Sequence, residues 1–421
     1  AEVVREAIKA LPNNNITYLE DLLAFIDDVV ADYEIAVTDA NALSVADILA
    51  ILKQSEIVKA AIIPLYQLAI DKFVDAEATF ADFIDVTNYT SEMAIEDLGR
   101  IENIIRYAVA FGAVDIYHGV EIDYTNAEPV ASIIGEVLAL NYLDVNRRII
   151  VDTLDNMLEV ANLYLSDLDV EQVDFVSDAV HVANAYRALV PVLDSSANPY
   201  KTLNDIRAGL GINYEDFLIG SLVNNMIDAL EHLTNTTILK EAMPVLLAFG
   251  ENSVDEEYAF MLDSRNLTKE AMLEDVDKAI ALARIAVDMG VVGYLNDEGL
   301  YLAQPGLIKE AIDLVFDLNI LDLSVKGNQV IDLVCDLIGI DTNGIDYDMI
   351  DWANEQVMLK AIVDIVSPAL INNDVAYLDQ LIDFASNGDF LDPIYVDEDN
   401  ANAILDVIEQ LLTSTIIKGA F

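Results

Sequence analysis

Apolar residues recur every three or four positions along nearly the whole chain, which is the spacing of one face of an α-helix. Ile101, Ile104, Ile105, Ala108 and Phe111 step this way, and Gly112 then supplies a helix stop. Val276, Ala279, Leu282, Ala283, Ala286 and Met289 repeat the pattern, with Gly290 in the place of the stop. Ser44-Val45-Ala46-Asp47 reads as a helix start resembling a capping box, with Asp in place of the usual Glu. Thr268-Lys269-Glu270 reads as another start. Breaks bearing Asn, Asp or Gly separate the helices at residues 11–17, 194–200, 295–299 and 387–400. Pro64, Pro191, Pro244 and Pro368 lie within or beside apolar runs, where each is expected to kink or restart a helix. No period-two alternation is sustained over several strands, although Val120 to Tyr124 could pair locally. The expected fold is all-α: an α-solenoid or stacked helical bundles.

The helical pattern also recurs at long range, with a period of about 180 residues. Glu56-Ile57-Val58-Lys59-Ala60 matches Thr237-Ile238-Leu239-Lys240-Glu241-Ala242, and a third copy is Thr415-Ile416-Ile417-Lys418-Gly419-Ala420. Glu96-Asp97-Leu98 matches Glu274-Asp275-Val276 one period on. Leu140-Asn141-Tyr142-Leu143-Asp144 matches Leu318-Asn319-Ile320-Leu321-Asp322, and Asp174-Phe175 matches Asp351-Trp352. Asn13, Asn14, Tyr18 and Leu19 match Asn372, Asn373, Tyr377 and Leu378 two periods later. The expected organisation is the end of one unit at 1–30, a unit at 31–209, a second at 210–388 and the start of a third at 389–421. On that reading the chain is a window onto a longer array.

Composition narrows the function classes. Hydrophobic residues make up 54% of the 421-residue chain, yet charges interrupt every long apolar run. No stretch is expected to span a membrane as a helix, and no basic-then-apolar leader opens the sequence. Acids number 75 against 21 bases, for a formal net charge of -54. Asp outnumbers Glu 48 to 27, and Asp favours helix caps and turns. Such a charge disfavours nucleic acid and anionic membranes as partners. It favours cations as counter-ions, basic proteins or a salty solvent. Cys335 is the only cysteine, so no internal disulfide is possible. Its neighbours make it a small core residue.

Candidate chemistry is sparse. His118, His181 and His232 are the only histidines, and none has a counterpart in another unit. No His-Glu-x-x-His spacing for zinc is present. Glu96/Asp97 and Glu274/Asp275 recur, but near helix starts, where acids complement the dipole. The acid-rich loop from Asp341 to Asp348, the stretch with Asp167, Asp169 and Glu171, and the cluster from Asp392 to Asp399 offer oxygens to calcium. None follows the EF-hand order, and solvated turn acids explain them as well. Gly209-Leu210-Gly211 lacks the rest of a phosphate loop. Sequons at Asn15, Asn88, Asn235 and Asn266 are as frequent as chance allows. Tyr18, Tyr200 and Tyr377 fall near corresponding junctions and are expected to pack there.

These observations favour a non-enzymatic structural or interaction protein without catalytic, cofactor-binding or metal-binding residues. It is expected to be a segment of an acidic helical array on a cell surface or in an extracellular assembly, self-associating or binding other proteins. The alternative is a cytoplasmic helical scaffold that binds a basic protein through an acidic surface.

Overall fold

The computed structural model describes residues 37–74, 87–120, 126–148, 151, 168–194, 220–254, 256–263, 267–291, 304–337, 342, 345–372 and 398–420. Among these residues every regular element is helical. The chain divides into two compact units. Unit 1 combines residues 1–212 with 228–242, and unit 2 combines 213–227 with 243–421.

Unit 1 contains α1 (Asp39–Leu52), α2 (Glu56–Val74), α3 (Ser91–Phe111), α4 (Ala113–Tyr117), α5 (Ala127–Leu138), α6 (Asn141–Val145) and α7 (Phe175–Leu193). α1 packs on α3, α3 on α5 and α5 on α7, while α2 and α6 flank α3. Small residues let the backbones approach. Ala46, Ala94 and Ala131 are fully buried, and a side chain at Gly135 would touch Ala183. Ile62, Tyr89 and Ala94 form a core with Met93, Leu98 and Tyr142 around them. An ion-pair chain joins α1 to α3: Asp47 to Arg106 at 2.7 Å, Arg106 to Glu102 at 3.0 Å and Glu102 to Lys53 at 2.7 Å. Burial alone would raise the Glu102 carboxyl, but hydrogen bonds from Lys53 and Arg106 win, and its pKa is lowered.

The chain continues through α8 (Gly220–Thr234) and α9 (Thr237–Ser253). Unit 2 then holds α10 (Glu256–Leu262), α11 (Lys269–Asp288), α12 (Pro305–Phe316), α13 (Leu323–Leu337), α14 (Trp352–Asn372), α15 (Glu398–Leu411) and α16 (Thr415–Ala420). α11 packs on α12, α12 on α14 and α14 on α15. Lys360 and Gln356 of α14 both donate to Asp313 of α12, at 2.5 and 2.9 Å.

Local signals account for several helix ends. Thr90 and Thr268 cap α3 and α11, each accepting from a backbone N–H three residues on at 3.3 Å. Gly112 and Gly290 hold φ of 93° and 87°, in the left-handed region where glycine carries no penalty. One expectation fails. α1 starts at Asp39, capped by Thr38, and not at Ser44. Ser44 sits inside α1, and its hydroxyl donates to the Ala40 carbonyl at 2.8 Å. Of the two outcomes expected at the prolines, a kink or a restart, none of the four shows a restart. Pro64, Pro191, Pro244 and Pro368 lie inside α2, α7, α9 and α14. All four are exposed, so water can reach the carbonyl that each leaves without a helical donor.

Candidate functional site: buried carboxylates at helix junctions

Four buried acids bind the starts of other helices. Asp97 of α3 is 1% exposed. Its Oδ1 accepts from Asn141 N at 2.8 Å and Asn141 Nδ2 at 3.1 Å. Its Oδ2 accepts from Tyr142 N at 2.9 Å and the Tyr89 hydroxyl at 2.7 Å. Asn141 and Tyr142 open α6, whose first N–H groups have no partner within their own helix. Asp97 therefore caps α6 from a helix 44 residues earlier. Tyr89 stands edge-on between Tyr66 and Tyr142, with ring centroids 5.9 and 5.7 Å away. Burial first, and then its bond to Asp97, pushes the Tyr89 hydroxyl far above its usual range.

Unit 2 has the same arrangement at Asp275 of α11. Asp275 Oδ1 accepts from Asn319 N at 2.8 Å and Asn319 Nδ2 at 3.0 Å, and Oδ2 accepts from Ile320 N at 2.6 Å. The secondary contacts also correspond. Asn141 Nδ2 reaches Glu96 at 3.1 Å, and Asn319 Nδ2 reaches Glu274 at 3.4 Å. Leu267 takes the place of Tyr89 in the same register, so the tyrosine donor has no counterpart.

A second kind of junction involves α7 and α14. Asp178 of α7 accepts from Thr237 N at 2.6 Å, the Thr237 hydroxyl at 2.9 Å and Ile238 N at 3.1 Å. It caps α9 from 59 residues away. Glu355 of α14, 1% exposed, accepts from Thr415 N at 2.5 Å, the Thr415 hydroxyl at 2.7 Å and the Ser414 hydroxyl at 2.8 Å. The two threonines also accept in turn, from Asp174 N at 2.7 Å and Asp351 N at 2.8 Å. Burial alone would raise the Glu355 carboxyl. The Thr415 and Ser414 bonds outweigh it, and its pKa is lowered.

That lowering fixes a pH dependence. A carboxyl whose pKa is lower in the folded protein stabilises it above the ordinary value of 4.5 and loses that contribution as pH falls through the folded value. Glu355→Gln is expected to cost about 1–2 kcal/mol at neutral pH and to flatten the acid limb of unfolding below 4.5. Emission of Trp352, the single tryptophan, reads this. An acid limb as steep as the parent's would count against Glu355.

Chemically, these sites are acceptors already filled by donors, an arrangement suited to fixing helices in place. The paired acids of the sequence are not dyads. Glu96 and Glu274 point outward, whereas Asp97 and Asp275 point inward. Sequence reasoning reads all four as acids near helix starts. It missed the inward pair's capping role and did not single out Asp178 or Glu355. One signal was available: an Asp and an Asn 44 residues apart occur twice, at Asp97/Asn141 and Asp275/Asn319.

The remaining candidates are scattered. His118 lies after α4, with Nε2 2.6 Å from the Val37 carbonyl. His181 is on α7 and His232 in the last turn of α8. Among the described residues no group of three His, Cys, Asp or Glu could hold a metal ion. Asp346 caps a 3-10 turn (Tyr347–Met349), and Asp169 does so at Val170–Gln172. Residues 121–124, Asp167, Asp341, Gly209 to Gly211, most of the 392–399 cluster, and Tyr18, Tyr200 and Tyr377 lie outside the described residues. Cys335 lies in α13. A cleft of 530 Å³ in unit 2 is lined by Phe316, Asn319, Trp352 and Gln356, with Asp317 and Asp322 at hand. Asn319 and Gln356 are committed to Asp275 and Asp313.

No known protein family, curated protein or solved structure matches this chain. Among the described residues no helix is long and apolar enough to cross a membrane.

Proposed function

We propose that this chain is a non-enzymatic structural or interaction protein, built as tandem helical units with a period of about 180 residues. One observation carries this reading: two different buried-carboxylate junctions each occur twice, at Asp97 and Asp275, and at Asp178 and Glu355. The members of each pair stand one period apart, and the donor groups largely correspond. Corresponding caps and glycine stops accompany them. What recurs is the means of fixing one helix against another. The units run over residues 31–209 and 210–388, with part of a third from 389.

The formal charge of -54 suits an extracellular or cell-surface assembly in which like-charged chains stay apart until cations screen them. Sedimentation velocity from ~0.01 to ~1 M salt, over which the Debye length falls from ~30 to ~3 Å, tests this. Association that grows with salt or with divalent cations is the expected result. A chain that stays monomeric throughout, yet binds a basic peptide and releases it at high salt, would replace assembly with the scaffold reading.

A further inference from the structure

We propose that the apolar face of α15 is a docking face for an amphipathic helix of a further unit of this kind. That helix would carry an apolar residue and an arginine one turn apart. The inference rests on the tandem-unit reading above.

α1, α8 and α15 hold corresponding positions, with Asp47, Asp228 and Asp406 in register. The residue before each aspartate is the informative one. Ala46 is 0% exposed and Ile227 is 7%, but Leu405 is 57%. Leu412 extends the same face and is 64% exposed, whereas its counterpart Thr234 is 7% exposed. Ile404 and Ile408 carry no weight, because their counterparts Val45 and Leu230 are exposed as well. α15 packs on α14, and Ala403, Val407 and Gln410 on its other side are half-buried. A position closed twice is thus open here, on a helix otherwise seated.

The interface of α1 with α3 shows what closes such a face. There Ala46 is buried, and Asp47 meets Arg106 of α3 at 2.7 Å. Arg284 of α11 stands one period after Arg106, so the arginine recurs. Asp406 is exposed and meets no cation among the described residues. At the neighbouring contact, Lys53, which follows α1, pairs with Glu102 of α3. Just after α15 the lysine position is Leu412, and in α11 the glutamate position is Ile280, buried at 7% exposure. A helix patterned like α11 therefore offers isoleucine to Leu412 and arginine to Asp406. A second α15 would bring Asp406 and Glu409 against the same acids, so self-pairing is disfavoured.

The test extends the full chain past Phe421 with a second copy of its own residues 244–324, which carries an α11 helix in register. Tethering makes even weak docking measurable. Hydrogen exchange over residues 404–412 is compared with and without the extension. At least about tenfold slower exchange is expected with it, lost in Asp406→Arg and recovered when Arg284 of the appended copy is also changed to Asp. Unchanged exchange at 404–412, with the appended helices themselves protected, overturns the docking inference and leaves the tandem-unit reading standing. Appended helices that stay unprotected overturn the tandem-unit reading, and the docking inference with it. Slow exchange already present in the unextended chain, with a dimer abolished by Leu405→Asp, overturns the proposal in favour of a second copy.

Discussion

Asp97→Ala is expected to destabilise unit 1 by about 3–5 kcal/mol. The substitution leaves Asn141 N, Tyr142 N and the Tyr89 hydroxyl without their acceptor. A buried donor stripped of its partner costs about 1–3 kcal/mol. Relief from burying a charge offsets part of this, which is why the three costs are not simply summed. Amide exchange at Asn141 and Tyr142 should accelerate by about two orders of magnitude or more. Asp275→Ala should cost less, about 2–4 kcal/mol, because Leu267 supplies no hydroxyl where Tyr89 does. Asp97→Asn should fall between parent and alanine, since the amide keeps one acceptor but turns its N–H₂ toward a donor. An Asp97→Ala protein within about 1 kcal/mol of the parent would show that the α6 cap is not what buries this acid.

Gly327→Ala is expected to destabilise unit 2 by about 2 kcal/mol, against the usual sign of a helical glycine-to-alanine change. Helix propensity alone favours alanine by about 1 kcal/mol. Here a Cβ would sit 2.2 Å from Trp352 Cζ2, 2.4 Å from Cε2 and 2.6 Å from Nε1. The indole is rigid, and Phe316 stands edge-on with its centroid 6.3 Å from that of Trp352. The ring must leave its place, so Trp352 emission should shift to the red along with the loss of stability. Gly306→Ala in α12 is the control. Nothing lies within 4 Å of its added Cβ, and it should stabilise by about 0.4–1 kcal/mol. Equal effects from the two substitutions would mean that packing against Trp352 does not decide the sign.

Much of the secondary structure was legible because periodicity and punctuation are local. Thr268, Gly112 and Gly290 do what their residue types suggest. Ser44 misled because serine also bonds back to the preceding turn from within a helix, and Thr38, earlier in the chain, was the better cap. A solvent-facing proline can stay inside a helix, which is why none of the four restarts one. The site was harder to read for a different reason. Whether an aspartate faces water or the start of another helix depends on packing 44 to 60 residues away. With 75 acids in the chain, no local property separates Asp97 from its exposed neighbour Glu96. Only co-recurrence with Asn141 marked it.

Capping across helices also bears on the order in which the chain can fold. Asp97 cannot be buried at low cost until Asn141 and Tyr142 have been made, and Asp178 must await Thr237. Each acid stays hydrated until a short, definite length of later chain arrives, and the two then close together. The wait never exceeds 60 residues at these junctions, so a folding front can follow the ribosome from the N-terminal side, each junction sealing what came before it.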